Sequence, residues 1–144
     1  MKLAGKVALV TGSSRGIGLA TAKAFAAEGC RLMLSARSAE PLADAANKLR
    51  ATGAEVAAHV ADVAKPEDAA ELVDAAVAAY GGIDILVNNV GAGGGGARIA
   101  DSTDEDWRGA LDRNLIQTVR MMRMACTQSL LPMRLPVKHA RSGS

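Results

Sequence analysis

Apolar positions along the chain follow two alternating rhythms. Four short runs, Val7 to Val10, Arg31 to Ala36, Glu55 to Ala61 and Ile83 to Asn88, are nearly continuous in apolar side chains and read as strands covered on both faces. The stretches between them carry helical spacing. Ile17, Ala20, Thr21, Ala24 and Phe25 form one inward stripe, and Leu42, Ala45, Ala46 and Leu49 form a second within residues 38–51. A third, Ala69, Leu72, Val73, Ala76 and Tyr80, belongs to a helix opened by Pro66. Gly29, Gly53 and the Gly81-Gly82 pair punctuate these helices. Strands alternating with helices long enough to cross back predict an α/β fold with parallel strands and right-handed crossovers.

The last third reads differently. Gly91 to Gly96 (G-A-G-G-G-G) is too rich in glycine for regular structure, and predicts a loop over a site or a linker. In S-T-D-E-D-W, Thr103 is placed to cap a helix whose first turn holds Asp104, Glu105 and Asp106. The stripe in that helix is Leu111, Leu115, Val119, Met122 and Cys126, while Met121, Met124 and Leu130 lie off it. A helix apolar over more than one face predicts packing on the sheet and on a second protein surface. Pro132 ends it, so the domain is expected over residues 1–131, with an irregular basic tail over 132–144.

Composition narrows the classes. The 144 residues suffice for one domain with a core, and Phe25, Tyr80 and Trp107 are the only aromatics, so Ala, Val and Leu must do the packing. No apolar run reaches the ~18 residues of a membrane span. The first residues, M-K-L-A-G-K, lack the core of a signal peptide. Cys30 and Cys126 sit in apolar surroundings without metal-ligand spacing, which predicts buried free thiols, no metal site and a reducing cytoplasm. Residues 113–144 hold six basic side chains and no acidic one, against 11 basic and 15 acidic over residues 1–112. The basic residues have no aromatics between them, which argues against nucleic acid as a partner.

Candidate chemistry concentrates in L-V-T-G-S-S-R-G-I-G, Leu9 to Gly18. A strand, a glycine turn and a helix start in this order offer amide N–H groups and a helix dipole to a diphosphate. Gly12 suits the tight turn, Gly16 close approach of a phosphate, and Gly18 close helix–strand packing. The end of the second strand, Ser35-Ala36-Arg37, lacks the carboxylate that would take both ribose hydroxyls of NAD. A guanidinium there pairs with a 2′-phosphate instead, which favours NADP(H).

Four patterns stand in one order: T-G-S-S-R-G-I-G, Asp62 after the third strand, N-N-V-G at Asn88 to Gly91, and R-N-L around Asn114. Together they resemble the short-chain dehydrogenase/reductase (SDR) family, most of all its 3-oxoacyl-carrier-protein reductases, over about residues 2–131. The resemblance implies a Rossmann-type doubly wound sheet in the order 3-2-1-4, truncated after about four strands and the long helix. It also implies an oxidoreductase that binds a nicotinamide dinucleotide and acts on a carbonyl or secondary alcohol, and a homo-oligomer formed through the long helix. Carried over by position, Gly12, Ser14, Arg15, Gly16, Ile17 and Gly18 would hold the diphosphate and adenosine ribose, with Arg15 and Arg37 on the 2′-phosphate. Asp62 and the Val63 backbone would take the adenine, Asn89 would fix the strand end, and Gly91 would let the cofactor pass. Asn114 would support a water-linked proton path as the catalytic residue present, unless it merely bonds helix backbone.

The resemblance ends there. The family's serine and Tyr-x-x-x-Lys have no counterpart: the sole tyrosine, Tyr80, is followed four places on by Asp84, and reads as a core residue. The reading is therefore a nucleotide-binding portion with little turnover of its own. Its alternatives are a non-catalytic binding or dimerising module, and an enzyme completed by a partner chain.

Overall fold

The structure is a computed structural model that describes residues 3–91 and 98–129. Its elements run β1 (Val7–Thr11), α1 (Gly16–Ala27), β2 (Arg31–Ala36), α2 (Ala39–Arg50), β3 (Val56–Val60), α3 (Pro66–Tyr80) and β4 (Ile85–Val87). After these come a 3-10 turn (Ile99–Asp101), α4 (Asp104–Leu111), a π turn (Asp112–Ile116) and α5 (Gln117–Ser129). The glycine-rich run over residues 92–97, Leu130, Pro132 and the tail lie outside the described residues.

The four strands form one sheet, parallel as the pattern predicts and in the order β3-β2-β1-β4 that the resemblance implies. Successive strand side chains point to opposite faces, so β1 and β2 supply two cores at once. Ala8, Val10, Leu32 and Leu34 pack with Ala22 of α1 and with Leu42, Ala46 and Leu49 of α2. Leu9 and Met33 pack on the other face with Leu72, Val73 and Ala76 of α3 and with Met121 and Ala125 of α5. Burial on both faces explains why these two strands are apolar at consecutive positions. β3, at one edge, instead alternates between covered and open positions, and β4 is half-buried. Among the described residues no helix is long and apolar enough to cross a membrane.

Three expectations need correction. The inward face of α1 holds Gly18 and Ala22, with Leu19, Phe25 and Ala26 partly buried, whereas Ile17, 77% exposed, and likewise Ala20 and Ala24 face outward. This helix is apolar almost all round, so spacing alone leaves its rotation open; the contact of Gly18 with the glycine turn sets it. In α5 the inward residues are Gln117, Met121 and Ala125, and the stripe Leu111, Leu115, Val119, Met122 and Cys126 faces outward. The stripe is one continuous face, exposed before the π turn at Leu111 and after it at Val119, Met122 and Cys126, so the spacing holds and only the side it presents differs: a helix apolar on two sides does not reveal by spacing which of them meets the sheet. Cys126 is consequently exposed, while Cys30 is buried as expected.

Candidate cofactor site

The strand order turns back at β1: β2 and β3 lie on one side of it, β4 on the other. In a doubly wound sheet the crevice beyond the carboxyl ends of such strands is where ligands bind. Here that crevice is formed by the turn after β1 and the exit from β4, and side chains fasten the two together. The Thr11 hydroxyl accepts from the amides of Asn89 (3.0 Å) and Val90 (3.4 Å), and donates to the Val87 carbonyl (3.2 Å). The Asn89 side-chain amide donates to the carbonyls of Thr11 and Gly12, both at 3.1 Å. Asn89 thus ties the exit of β4 to the glycine turn, and Thr11, which the sequence did not single out, does the same from the end of β1.

Backbone conformation shapes the turn. Gly12 and Gly16 have φ of +63° and +56°, a region that favours glycine. Around Gly16 a side chain would meet open space, so the backbone there is free to be approached. Gly18 is the reverse: its Cβ would stand 2.3 Å from the Gly12 carbonyl oxygen, which fixes how closely α1 sits under the turn. The start of α1 has no side-chain cap and no acidic residue in its first turn, so its opening amides are not taken by the helix's own side chains. A second tie joins the turn to β2, where the Ser13 amide donates to the Ser35 carbonyl and the Ser35 amide donates to the Ser13 hydroxyl, both at 2.9 Å.

A cavity of about 360 Å³ occupies this crevice. Of the residues singled out by sequence, Gly12, Ser14, Arg15 and Arg37 line it from the turn and the end of β2. Asp62, Val63, Asn89 and Gly91 line it from the ends of β3 and β4. Gly16, Ile17 and Gly18 stand at the head of α1 outside that lining. Ser35, named in the sequence only as part of a strand end without a carboxylate, also lines it, and among the described residues its buried hydroxyl has no hydrogen-bond partner. An orphaned hydroxyl, two arginines and an open backbone at Gly16 fit a polar, anionic ligand such as a phosphorylated nucleotide.

Two candidates carry structural duties. Asp62 accepts from the Ala64 amide at 3.2 Å, and its own amide donates to the Asp68 carboxylate at 2.9 Å, so it organises the turn after β3 as well as lining the cavity. Asn114 lies in the π turn, where its amide donates to the Ala110 carbonyl at 2.9 Å. This is the backbone bond expected of a helical asparagine. Asn114 nevertheless stands beside the crevice, since a side chain at Gly91 would meet its Oδ1 at 3.0 Å. Tyr80 is a partly buried core residue, as anticipated: its phenol donates to the Leu32 carbonyl at 3.2 Å, and burial pushes its pKa above the usual tyrosine value.

A roomier cavity, about 750 Å³, opens at the opposite end of the sheet beside Lys23, Arg31 and Lys48. Volume does not decide in its favour. Helix carbonyl ends gather there, and Arg31 already donates to the Gly5 carbonyl and lies over the Tyr80 ring.

Residues 6–134 match the family model for short chain dehydrogenase. A putative ketoacyl reductase of the monensin polyketide synthase from Streptomyces virginiae is 45% identical over 122 residues, covering 85% of this chain and 46% of that protein. Human dehydrogenase/reductase SDR family member 4 is 42% identical over 113 residues, covering 78% of this chain and 41% of that protein. The chain therefore spans less than half the length of these curated relatives. Among solved structures, L-sorbose reductase from Gluconobacter frateurii, complexed with NADPH and L-sorbose, superposes with a TM-score of 0.81 at 39% identity, covering 88% of this chain and 48% of that one. A variant of actinorhodin polyketide ketoreductase with NADPH gives 0.82 at 37% identity, covering 90% and 49%.

Proposed function

The chain belongs to the short-chain dehydrogenase family, and from that premise we propose that it is the NADP(H)-binding portion of an oxidoreductase acting on a carbonyl or secondary alcohol. The observation that carries the choice of cofactor is the charge around the crevice: Arg15 and Arg37 line it, and Ser35, Ala36 and Arg37 end β2 without a carboxylate. A carboxylate would repel a 2′-phosphate; two guanidiniums attract it. Solved relatives that hold NADPH support the same preference.

In this reading the amides of the turn from Gly12 to Gly18 hold the diphosphate. Asp62 accepts from the adenine amino group beside the Val63 backbone, and Gly91 leaves room for the cofactor to pass. Ile17, apolar and exposed at the head of α1, flanks it. When bound, the nicotinamide supplies or accepts a hydride. Asn114 steadies water on a proton path at the edge of the crevice. The 144 residues contain no Tyr-x-x-x-Lys, and a tyrosine with a pKa of about 10 exchanges protons poorly near neutrality without a neighbouring cation. These residues would therefore bind the cofactor with little or no turnover of their own. Its exposed stripe of Leu111, Leu115, Val119 and Met122 supports association with a second copy.

Calorimetry with NADPH and NADH on the purified chain tests the proposal. NADPH should bind more tightly, and Arg37→Ala should cost it about tenfold while leaving NADH unchanged. Absence of heat with either coenzyme, or a preference for NADH, would overturn it.

A further inference from the structure

Two polar side chains of α5 reach across to the loops that border the cavity. Gln117 is 3% exposed, and its amide nitrogen donates at 2.9 Å to the carbonyl of Val90, the residue before Gly91. The same nitrogen meets the Arg113 carbonyl. The π turn makes that second contact available: the backbone amide of Gln117 reaches back five residues to Asp112, and its side chain turns to Arg113 instead. One buried amide therefore pins the π turn to the exit of β4. One helical turn further on, Arg120 donates to the carbonyls of Ala64 (2.9 Å) and Val63 (3.4 Å), in the loop that follows Asp62.

We propose that Gln117 and Arg120 are positioning residues for the two ends of the bound dinucleotide, an assignment that rests on the NADP(H) reading above. Gln117 sets the height of the Val90-Gly91 backbone and keeps Asn114 against it, which is the nicotinamide end. Arg120 sets the loop carrying Asp62 and Val63, which is the adenine end. Neither touches the cofactor; each acts through carbonyls of a cavity-lining loop. A helix that grips both loops makes the cavity a single rigid frame, and loss of one grip loosens only the end it serves. Leucine at 117 would leave the Val90 carbonyl without its donor in a buried place, which favours a displaced loop.

The experiment is calorimetry on the full chain with two probes, NADPH and adenosine 2′,5′-bisphosphate, the second carrying the adenosine end alone. Gln117→Leu should weaken NADPH about tenfold and leave the bisphosphate within about twofold of wild type. Arg120→Leu should weaken both probes, and Arg120→Lys, which keeps one donor, should restore part of the loss. Arg120 is only half-buried, so its variants test the assignment even where the leucine at 117 unsettles the fold. The assignment is overturned if Gln117→Leu binds NADPH like wild type, or if it loses both probes in proportion to a fall in melting temperature. Wild type that binds neither probe would overturn the cofactor reading, and this assignment with it.

Discussion

Two helices of this chain begin in opposite ways. α4 is closed by its own residues: the Asp106 amide donates to the Thr103 hydroxyl at 3.2 Å, the Asp106 carboxylate accepts from the Thr103 amide at 2.9 Å, and three acids occupy its first turn. α1 begins behind Arg15 with no side-chain cap and no acid, at the mouth of a crevice where the strand order reverses. A helix that satisfies its own opening amides has nothing to offer an anion. One that leaves them open beside guanidiniums invites a ligand to complete it. On the cofactor reading proposed above, a nucleotide phosphate would meet these open amides as well as the glycines.

The contrast can be broken at several points. The largest effect is expected from Gly18→Ala, whose new Cβ would meet the backbone oxygen of Gly12 at 2.3 Å. Forcing α1 away from the turn should destabilise the fold by about 1–3 kcal/mol and abolish NADPH binding, as thermal unfolding and calorimetry would register together. Arg15→Asp would give α1 a start like that of α4. It should stabilise the helix by ~1 kcal/mol yet weaken NADPH roughly a hundredfold, a divergence that melting curves and calorimetry separate.

The smallest effect belongs to α4. Thr103→Ala should lower the melting temperature slightly and leave NADPH affinity unchanged. The backbone amide of Thr103, and after it the Thr103 hydroxyl that the alanine would remove, hold the Asp106 carboxyl below the usual aspartate range, and the Val7 amide, then Lys6, do the same for Asp84. Folded values below the unfolded one mean that these contributions are present above about pH 4 and vanish as acid protonates the folded groups. Melting temperature should therefore fall on acidification below that point, and less steeply in Thr103→Ala.

Much of this arrangement was readable in the residues themselves. Leu42, Ala45, Ala46 and Leu49 face inward as their spacing requires, and so do Ala69, Leu72, Val73 and Ala76, because charged residues mark the opposite face, Glu40, Asp44 and Lys48 in α2 and Glu67, Glu71 and Asp74 in α3. The strand order follows the resemblance, and eight of the residues it singles out share one cavity. The failures have physical causes. α1 and α5 are apolar on more than one side, so the direction of Ile17 or Val119 depends on what the helix meets. Gln117 belongs to a residue type common on surfaces, and its burial is visible only once the turn before it is known.

Thr11 carries a last consequence. A hydroxyl has one proton and two lone pairs, and at Thr11 all three are engaged, by Val87, Asn89 and Val90. Its capacity is saturated before any guest arrives. Thr11, which does not line the cavity, is thereby spent on joining the two strand ends, and any recognition would fall to the arginines and main-chain groups that do line it.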